Sequence, residues 1–307
     1  MNVLSLFDGI SCGQIALERV GIKVDNYYSS EIKKKAIEVT QEHYPNTIQL
    51  GDITKLHYEN GKLYSENGTY EVGKIDLLIG GSPCQDFSCL KNTRWGEANG
   101  YNGEKSKLFW EYLRILREVK PKYFLLENVK MKQEYENNIS NILGYKPNRI
   151  NSSLVSFQTR DRLYWTNIND GVIPLPKDKH ISLQDNLDTN EQNLKEAKMN
   201  YTSSRIRMWN NGNGGKLGAC RNITNSDKCN CISRKQDRCP NSGLIAYDGF
   251  ARFLTRTEIE KGQTLPLGYL KNCSYNQMCD LAGDGWTVDI IAHIFSFLEI
   301  LDKGEDK

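Results

Sequence analysis

The chain is 307 residues long, 38% hydrophobic and 25% charged, with a formal net charge of +2. That length holds one large domain, or a large domain plus a small one, and two parts are expected. No apolar run approaches the ~20 residues of a membrane helix, and the near-neutral balance does not by itself announce a nucleic-acid binder.

The first residues, MNVLSLFDGIS, contain no basic leader; Asp8 and the shortness of the apolar stretch argue against a signal peptide, so a cytoplasmic location is expected. Nine cysteines, an odd number without framework spacing, read as free thiols in a reducing compartment.

Residues 2–7, NVLSLF, have the character of a short buried strand, followed by a glycine-bearing turn and the helical pattern CGQIALERVG, which Gly21 stops. VDNYYSS predicts a second strand, EIKKKAIEVTQEHY a helix, and IQLGDI a third strand end. Between 57 and 73 the turn pairs Asn60-Gly61 and Asn67-Gly68 lie among tyrosines and predict a hairpin insertion. KIDLLIG is a fully apolar strand, a cysteine loop follows, a helix is expected from about Leu108 to Val119, and PKYFLLE is another buried strand. Apolar strands alternating with helices imply a parallel sheet covered on both faces. After about residue 170 the pattern becomes polar, then glycine- and asparagine-rich in WNNGNGGKLG, and a smaller irregular domain is expected over 170–248. GWTVDIIAHIFSFLEIL has helical spacing and should pack back onto the sheet. The expected organisation is therefore a first part of the main domain at 1–169, the small domain at 170–248, and a returning segment at 249–307.

Several constellations carry chemistry. LFDGISCG, residues 6–13, joins a strand end to a helix through two glycines, a backbone that a ligand can approach closely, with helix N–H groups facing it. Glu31, ending the second strand, could hold ribose hydroxyls, and Asp52, after Gly51, could accept from an adenine amino group. Taken alone, Glu31 serves equally well as the N-terminal charge of its own helix. In GGSPCQDFSCL, Cys84 sits among glycine, proline and small polar residues, the setting of a working thiol on a loop rather than a packed one. Glu127 and Asn128 directly follow an apolar strand, where a carboxylate is costly without a partner, although a capping or ion-paired acid would also fit. In FQTRDRLYW, Gln158, Arg160 and Arg162 alternate, so a single extended strand would turn all three to one face, where two guanidiniums want an anion or a carbonyl-rich ligand; a solvated edge strand is the plainer alternative. From Tyr201 to Arg256 there are ten Lys and Arg against three Asp and Glu, a local basic surface. Within it Cys220, Cys229, Cys231 and Cys239 have the count of a four-thiolate zinc site, but C-x-C spacing is unusual for one and no metal is expected.

Together these motifs resemble, in order and over nearly the whole chain, those of the DNA (cytosine-5) methyltransferases. FDGISCG is similar to the family's cofactor loop, GGSPCQ to its Pro-Cys loop, LLENV to its Glu-Asn-Val, QTRDR to its Gln-x-Arg-x-Arg, RFLT at 252–255 to the segment closing its recognition domain, and GDGWTVDII to its final cofactor-side motif. Gly283-Asp284-Gly285-Trp286 departs from the Gly-Asn-Ser of bacterial members toward the Trp-bearing version in animal de novo enzymes, so cofactor contact is assigned to Trp286 and not to Asp284.

The resemblance implies an α/β, Rossmann-like class I S-adenosylmethionine-dependent methyltransferase fold with a small target-recognition domain. It implies S-adenosylmethionine as cofactor, held by Phe7, Gly9, Gly13, Glu31, Ile32, Asp52, Ile53, Pro83, Leu108 and Trp286. Cys84 would add to C6 of a flipped cytosine, Glu127 would hold the N3/N4 edge, and Arg162, with Arg160, would bind O2 or position the cysteine loop. Residues 86–107 would form a lid. Double-stranded DNA is the expected partner, contacted by Gln85, Ser88, Arg94, Arg205, Arg207, Arg221, Arg234, Lys235 and Arg238, with no membrane partner and a monomeric state. A tRNA cytosine-5 methyltransferase of the same fold and a catalytically silent DNA-binding relative are the competing readings.

Overall fold

The structure is a computed structural model that describes residues 1–82, 107–213, 221–236, 238 and 240–299. Its framework is a seven-stranded sheet built from β1 (Asn2–Leu6), β2 (Asn26–Ser30), β3 (Ile48–Gln49), β7 (Leu77–Gly81), β8 (Tyr123–Val129), β9 (Asn148–Asn151) and β11 (Asp161–Thr166), in the order β3-β2-β1-β7-β8-β11-β9. The first five strands in that order run parallel, as their continuous apolar character predicts: Val3, Leu4, Leu6, Leu77, Leu78 and Ile79 have no exposed surface at all. At the other end β11 is antiparallel to both β8 and β9, so the sheet is mixed rather than wholly parallel.

Helices cover both faces. Helix α1 (Cys12–Arg19) and the C-terminal helix Val288–Phe295 share a core of Ile10, Ala16, Leu17, Ile79, Ile291 and Ile294. On the other face the helix Lys107–Val119 buries Phe109, Tyr112 and Ile115 against Leu4, Leu78, Leu126 and Trp165. Helix α2 (Lys34–His43) follows β2 as expected.

The two Asn-Gly pairs build a three-stranded meander of β4 (His57–Glu59), β5 (Lys62–Ser65) and β6 (Gly68–Glu71). Asn60 and Gly61 both take positive φ, 49° and 79°, which is the conformation a tight primed turn demands. Beyond the main sheet, β10 (Gln158–Thr159) pairs in parallel with β12 (Cys229–Asn230), and β13 (Ile245–Tyr247) pairs with β14 (Phe250–Arg252).

Chain order reverses at β1, whose neighbours are β2 on one side and β7 on the other. At such a switch point the loops leaving the strand C-termini diverge and open a crevice, and every candidate residue near a strand end should gather there.

Candidate active site

The loop after β1 is the first wall. Phe7, Gly9 and Ser11 take left-handed φ of 57°, 61° and 55°, and the two non-glycine members are strained, a cost that clusters at functional sites. Gly9 is open around its Cα and donates its N–H to Glu31 Oε2 at 2.8 Å. The other oxygen of Glu31 accepts from the backbone N–H of Ile32 and Lys33 at 2.8 and 2.9 Å, so the carboxylate is fixed at the end of β2 with acceptor capacity left for a hydroxyl. Beside it Ile32 is 68% exposed, an apolar side chain at the rim.

Not every predicted cofactor residue faces this crevice. Gly13 lies in α1, and a Cβ there would come within 2.3 Å of Ile79 Cδ1 and 2.9 Å of the Tyr27 hydroxyl oxygen; its bareness serves helix-on-sheet packing rather than approach by a ligand. Ile53 is buried in the core with Leu4 and Leu6, and Leu108 packs at the edge of that cluster. Asp52 caps the short turn that follows it, accepting from Thr54 N at 2.9 Å, while its own N–H is taken at 2.8 Å by Glu66 from the meander. Glu66 carried no local signal as a site residue, since only the docking of the insertion brings it to Gly51 and Asp52.

The second wall is made by β7, β8 and β11. Gly81 and Glu127 are register partners at the ends of β7 and β8, and Tyr164 of β11 stands opposite Glu127. Arg162, two residues before Tyr164, therefore lies on the same face and diagonally across from Glu127. Arg162 Nε reaches Glu127 Oε1 at 3.0 Å, and the side chains are only 15% and 11% exposed. Trp286 Nε1 donates to Glu127 Oε2 at 3.2 Å, which brings the residue assigned to the cofactor into contact with the one assigned to the base. Asn128 donates to the buried Ser82 hydroxyl at 3.2 Å, tying the β8 terminus to the last described residue before the cysteine loop. Pro83, Cys84, Gln85, Ser88 and Arg94, and the expected lid apart from Lys107, lie outside the described residues.

The expectation that Gln158, Arg160 and Arg162 share one strand face fails. The chain breaks at Arg160: Gln158 belongs to β10 and pairs with Cys229, whereas Arg162 belongs to β11 in the main sheet. Gln158 is fully buried and bridges Gln263 Oε1 at 2.8 Å and Ile232 N at 3.1 Å. Arg160 finds its carbonyl-rich ligand inside the protein, donating to Ile232 O at 2.8 Å, Gly283 O at 3.2 Å and Gly285 O at 2.8 Å. It is a clamp on the Trp286 loop, not a group aimed at a base.

The basic residues also divide. Arg234 stands 3.7 and 3.6 Å from the carboxylates of Asp280 and Asp284, and the Lys235 N–H is held by Asp280 at 3.0 Å; these acids, remote in sequence, fasten the segment to the helix Tyr275–Asp284. Asp284 takes Lys33 as well, at 2.6 Å. Arg205 lies over the Phe253 ring at 5.2 Å. Arg207, Arg221 and Arg238 are exposed. Of the four cysteines, Cys220 and Cys239 lie outside the described residues; Cys229 is buried, which pushes its thiol up, and Cys231 faces Arg160 and Arg162. Among the described residues no three His, Cys, Asp or Glu side chains gather as a metal site, and no helix is long and apolar enough to cross a membrane.

The family model for C-5 cytosine-specific DNA methylase matches residues 1–299. The chain belongs to that family. Among curated relatives it is 30% identical over 186 residues to the orphan methyltransferase M.SPRI of Bacillus phage SPR, covering 56% of this chain and 39% of that one. It is 34% identical over 130 residues to the type II methyltransferase M.FnuDI of Fusobacterium nucleatum, covering 42% of this chain and 33% of that one. These alignments thus span under two fifths of the relatives' own length. In fold the chain is similar to the S. pombe Dnmt2 methyltransferase, with a TM-score of 0.67 over 96% of this chain and 97% of the other at 16% identity.

Proposed function

We propose that the protein transfers a methyl group from S-adenosylmethionine to C5 of a cytosine flipped out of duplex DNA. The observation that carries the reading is the Glu127–Arg162 ion pair at the strand ends, with Trp286 on the same carboxylate and the Glu31–Gly9 loop across the switch point. A carboxylate pinned by three backbone N–H groups beside an exposed Ile32 suits a ribose and an adjoining flat ring, so the crevice fits the cofactor. When bound, S-adenosylmethionine supplies an electrophilic methyl group.

The chain's own residues supply the rest. Cytosine C5 is a poor nucleophile until a thiolate adds to C6, and Cys84, on the loop following β7, is assigned that addition. Glu127 holds the N3/N4 edge, and Arg162, fixed by the same carboxylate, offers N–H groups to O2. Loss of the C5 proton and expulsion of Cys84 restore the aromatic ring after methylation. Flipping costs a few kcal/mol, which contacts from the basic segment offset. We assign residues 170–248 to target recognition, the partner to double-stranded DNA, and the acting species to the monomer.

The test is transfer of labelled methyl from S-adenosylmethionine into duplex DNA and, separately, into tRNA, by wild type and Cys84→Ala. Label in DNA cytosine that vanishes in the variant is expected. Label confined to tRNA redirects the substrate, and none in either, despite cofactor binding, leaves a DNA-binding relative without catalysis.

A further inference from the structure

Between the two arginines of QTRDR stands a sulfur. Cys231 Sγ lies 3.3 Å from Arg160 Nη1 and 3.7 Å from Arg162 Nη2, so both guanidiniums turn N–H groups toward it. Among the described residues, the other hydrogen bonds of the Arg160 guanidinium go to the neutral carbonyls of Ile232, Gly283 and Gly285, although the residue is only 4% exposed. A buried guanidinium solvated by dipoles alone is costly, and a counter-ion removes much of that cost. Glu127 answers one of the two positive charges, through Arg162. Among the described residues bonded to Arg160, Cys231 is the one able to carry negative charge.

We infer that Cys231 acts as a thiolate and is a positioning residue: it balances Arg160 and holds the Arg162 guanidinium in the orientation that meets both Glu127 and the base. This rests on the cytosine-methyltransferase reading. The groups around the sulfur are consistent with it. Arg160 and Arg162 approach from the β10–β11 junction, the buried Cys229 lies two residues back, and the protonated thiol's alternative is a single weak bond to Ile232 O at 3.6 Å. The two guanidiniums outweigh burial and hold the thiol below its ordinary 9.0. The contact between Arg162 and Cys231 couples the segment that follows β12 to the Arg162 guanidinium. No carboxylate is needed for this, and Arg160 becomes a shared support rather than a second base-binding arm.

Two measurements on the full-length protein test the inference. In the first, iodoacetamide alkylation of the Cys231-bearing peptide is followed by mass spectrometry from pH 6 to 8. An ordinary thiol, titrating at 9.0, gains about a hundredfold in rate across that range because its thiolate fraction rises tenfold per pH unit. Cys231 should rise far less, and Arg162→Met should restore the steep climb. A hundredfold climb in wild type, or no alkylation at any pH, overturns the inference.

In the second, methyl transfer by Cys231→Ser, Cys231→Ala and Cys231→Asp is compared with wild type. Ser and Ala should lower kcat at least tenfold with cofactor affinity kept, and Asp should recover part of the loss. Wild-type kcat should fall as pH drops through the titration of Cys231, and that component should be missing in Cys231→Ser. A Ser variant matching wild type in kcat and pH profile overturns the positioning role while leaving the enzyme reading standing. If wild type itself transfers no methyl group, that reading falls, and the alkylation curve alone decides whether Cys231 is a thiolate.

Discussion

Trp286 Nε1 donates to Glu127 Oε2 at 3.2 Å across 159 residues of chain, while the other oxygen of Glu127 takes Arg162 Nε at 3.0 Å. One carboxylate thus joins the C-terminal loop, which Arg160 clamps at Gly283 and Gly285, to the strand that carries Arg162. Replacing it tests both connections. Glu127→Gln keeps the shape and one acceptor, so Trp286 can still be held, but the charge opposite Arg162 is gone. Methyl transfer should fall by about 10²–10⁴-fold, the scale of a lost acid–base group, with cofactor affinity within a few-fold of wild type. Initial rates and cofactor titration check this, and a variant retaining a tenth of the activity would remove Glu127 from the chemistry.

Gly81 sets how closely these groups can meet. A Cβ there would lie 2.9 Å from Trp286 Nε1, closer than real contacts allow, and 3.0 Å from Glu127 Oε2, a tight contact, so both neighbours would have to give. Gly81→Ala should therefore cost activity out of proportion to stability. Overpacking is worth about 1–3 kcal/mol, whereas a displacement of about 1 Å at a catalytic group can cost a hundredfold in rate. Paired thermal melts and rates decide it; equal losses of rate and folded fraction would make the effect one of packing alone.

Much of this architecture was legible from local pattern. The runs NVLSLF and KIDLLIG put apolar residues on both faces because β1 and β7 are central and buried on both sides, and the Asn-Gly pairs announce their own turns. The direction of β11 was not legible: Leu163, Tyr164 and Trp165 are buried alike whether the strand runs parallel or antiparallel. Nor was the break at Arg160, because R-x-R alternation matches a strand perfectly well until carbonyls more than 120 residues away claim one of the two side chains. Arg234 counts as a basic residue of a basic segment in any window of sequence, and only the fold brings Asp280 and Asp284 to it.

Arg160 as a clamp leads to a different expectation from Arg160 as a base contact. Arg160→Lys preserves the charge but cannot reach Ile232, Gly283 and Gly285 at once. Each buried carbonyl left without its donor costs roughly 1–3 kcal/mol, so Tm should drop by several degrees. Cofactor affinity should weaken with it, since the Trp286 loop loses its tether. A melt within a degree of wild type, with only methyl transfer impaired, would return Arg160 to the base.

Asp8 gives the fold a pH dependence of its own. It lies in the loop after β1, and burial of its carboxyl holds it above the ordinary 3.8 despite hydrogen bonds from Ser11, Tyr27 and Ser29. In the range just above 3.8 the folded protein therefore keeps a proton that the unfolded chain has released. That stabilisation is complete at the acid end and is lost as pH rises through the folded-state titration. Asp8→Asn does not titrate, and whatever its amide costs beside the three donors is the same at every pH. The difference in Tm between variant and wild type should therefore shift in favour of Asp8→Asn as pH is raised from about 4 through the titration. Melts of the two proteins across that range decide the matter by the slope rather than the offset, and a flat or opposite trend would mean that the donors, not burial, govern the carboxyl.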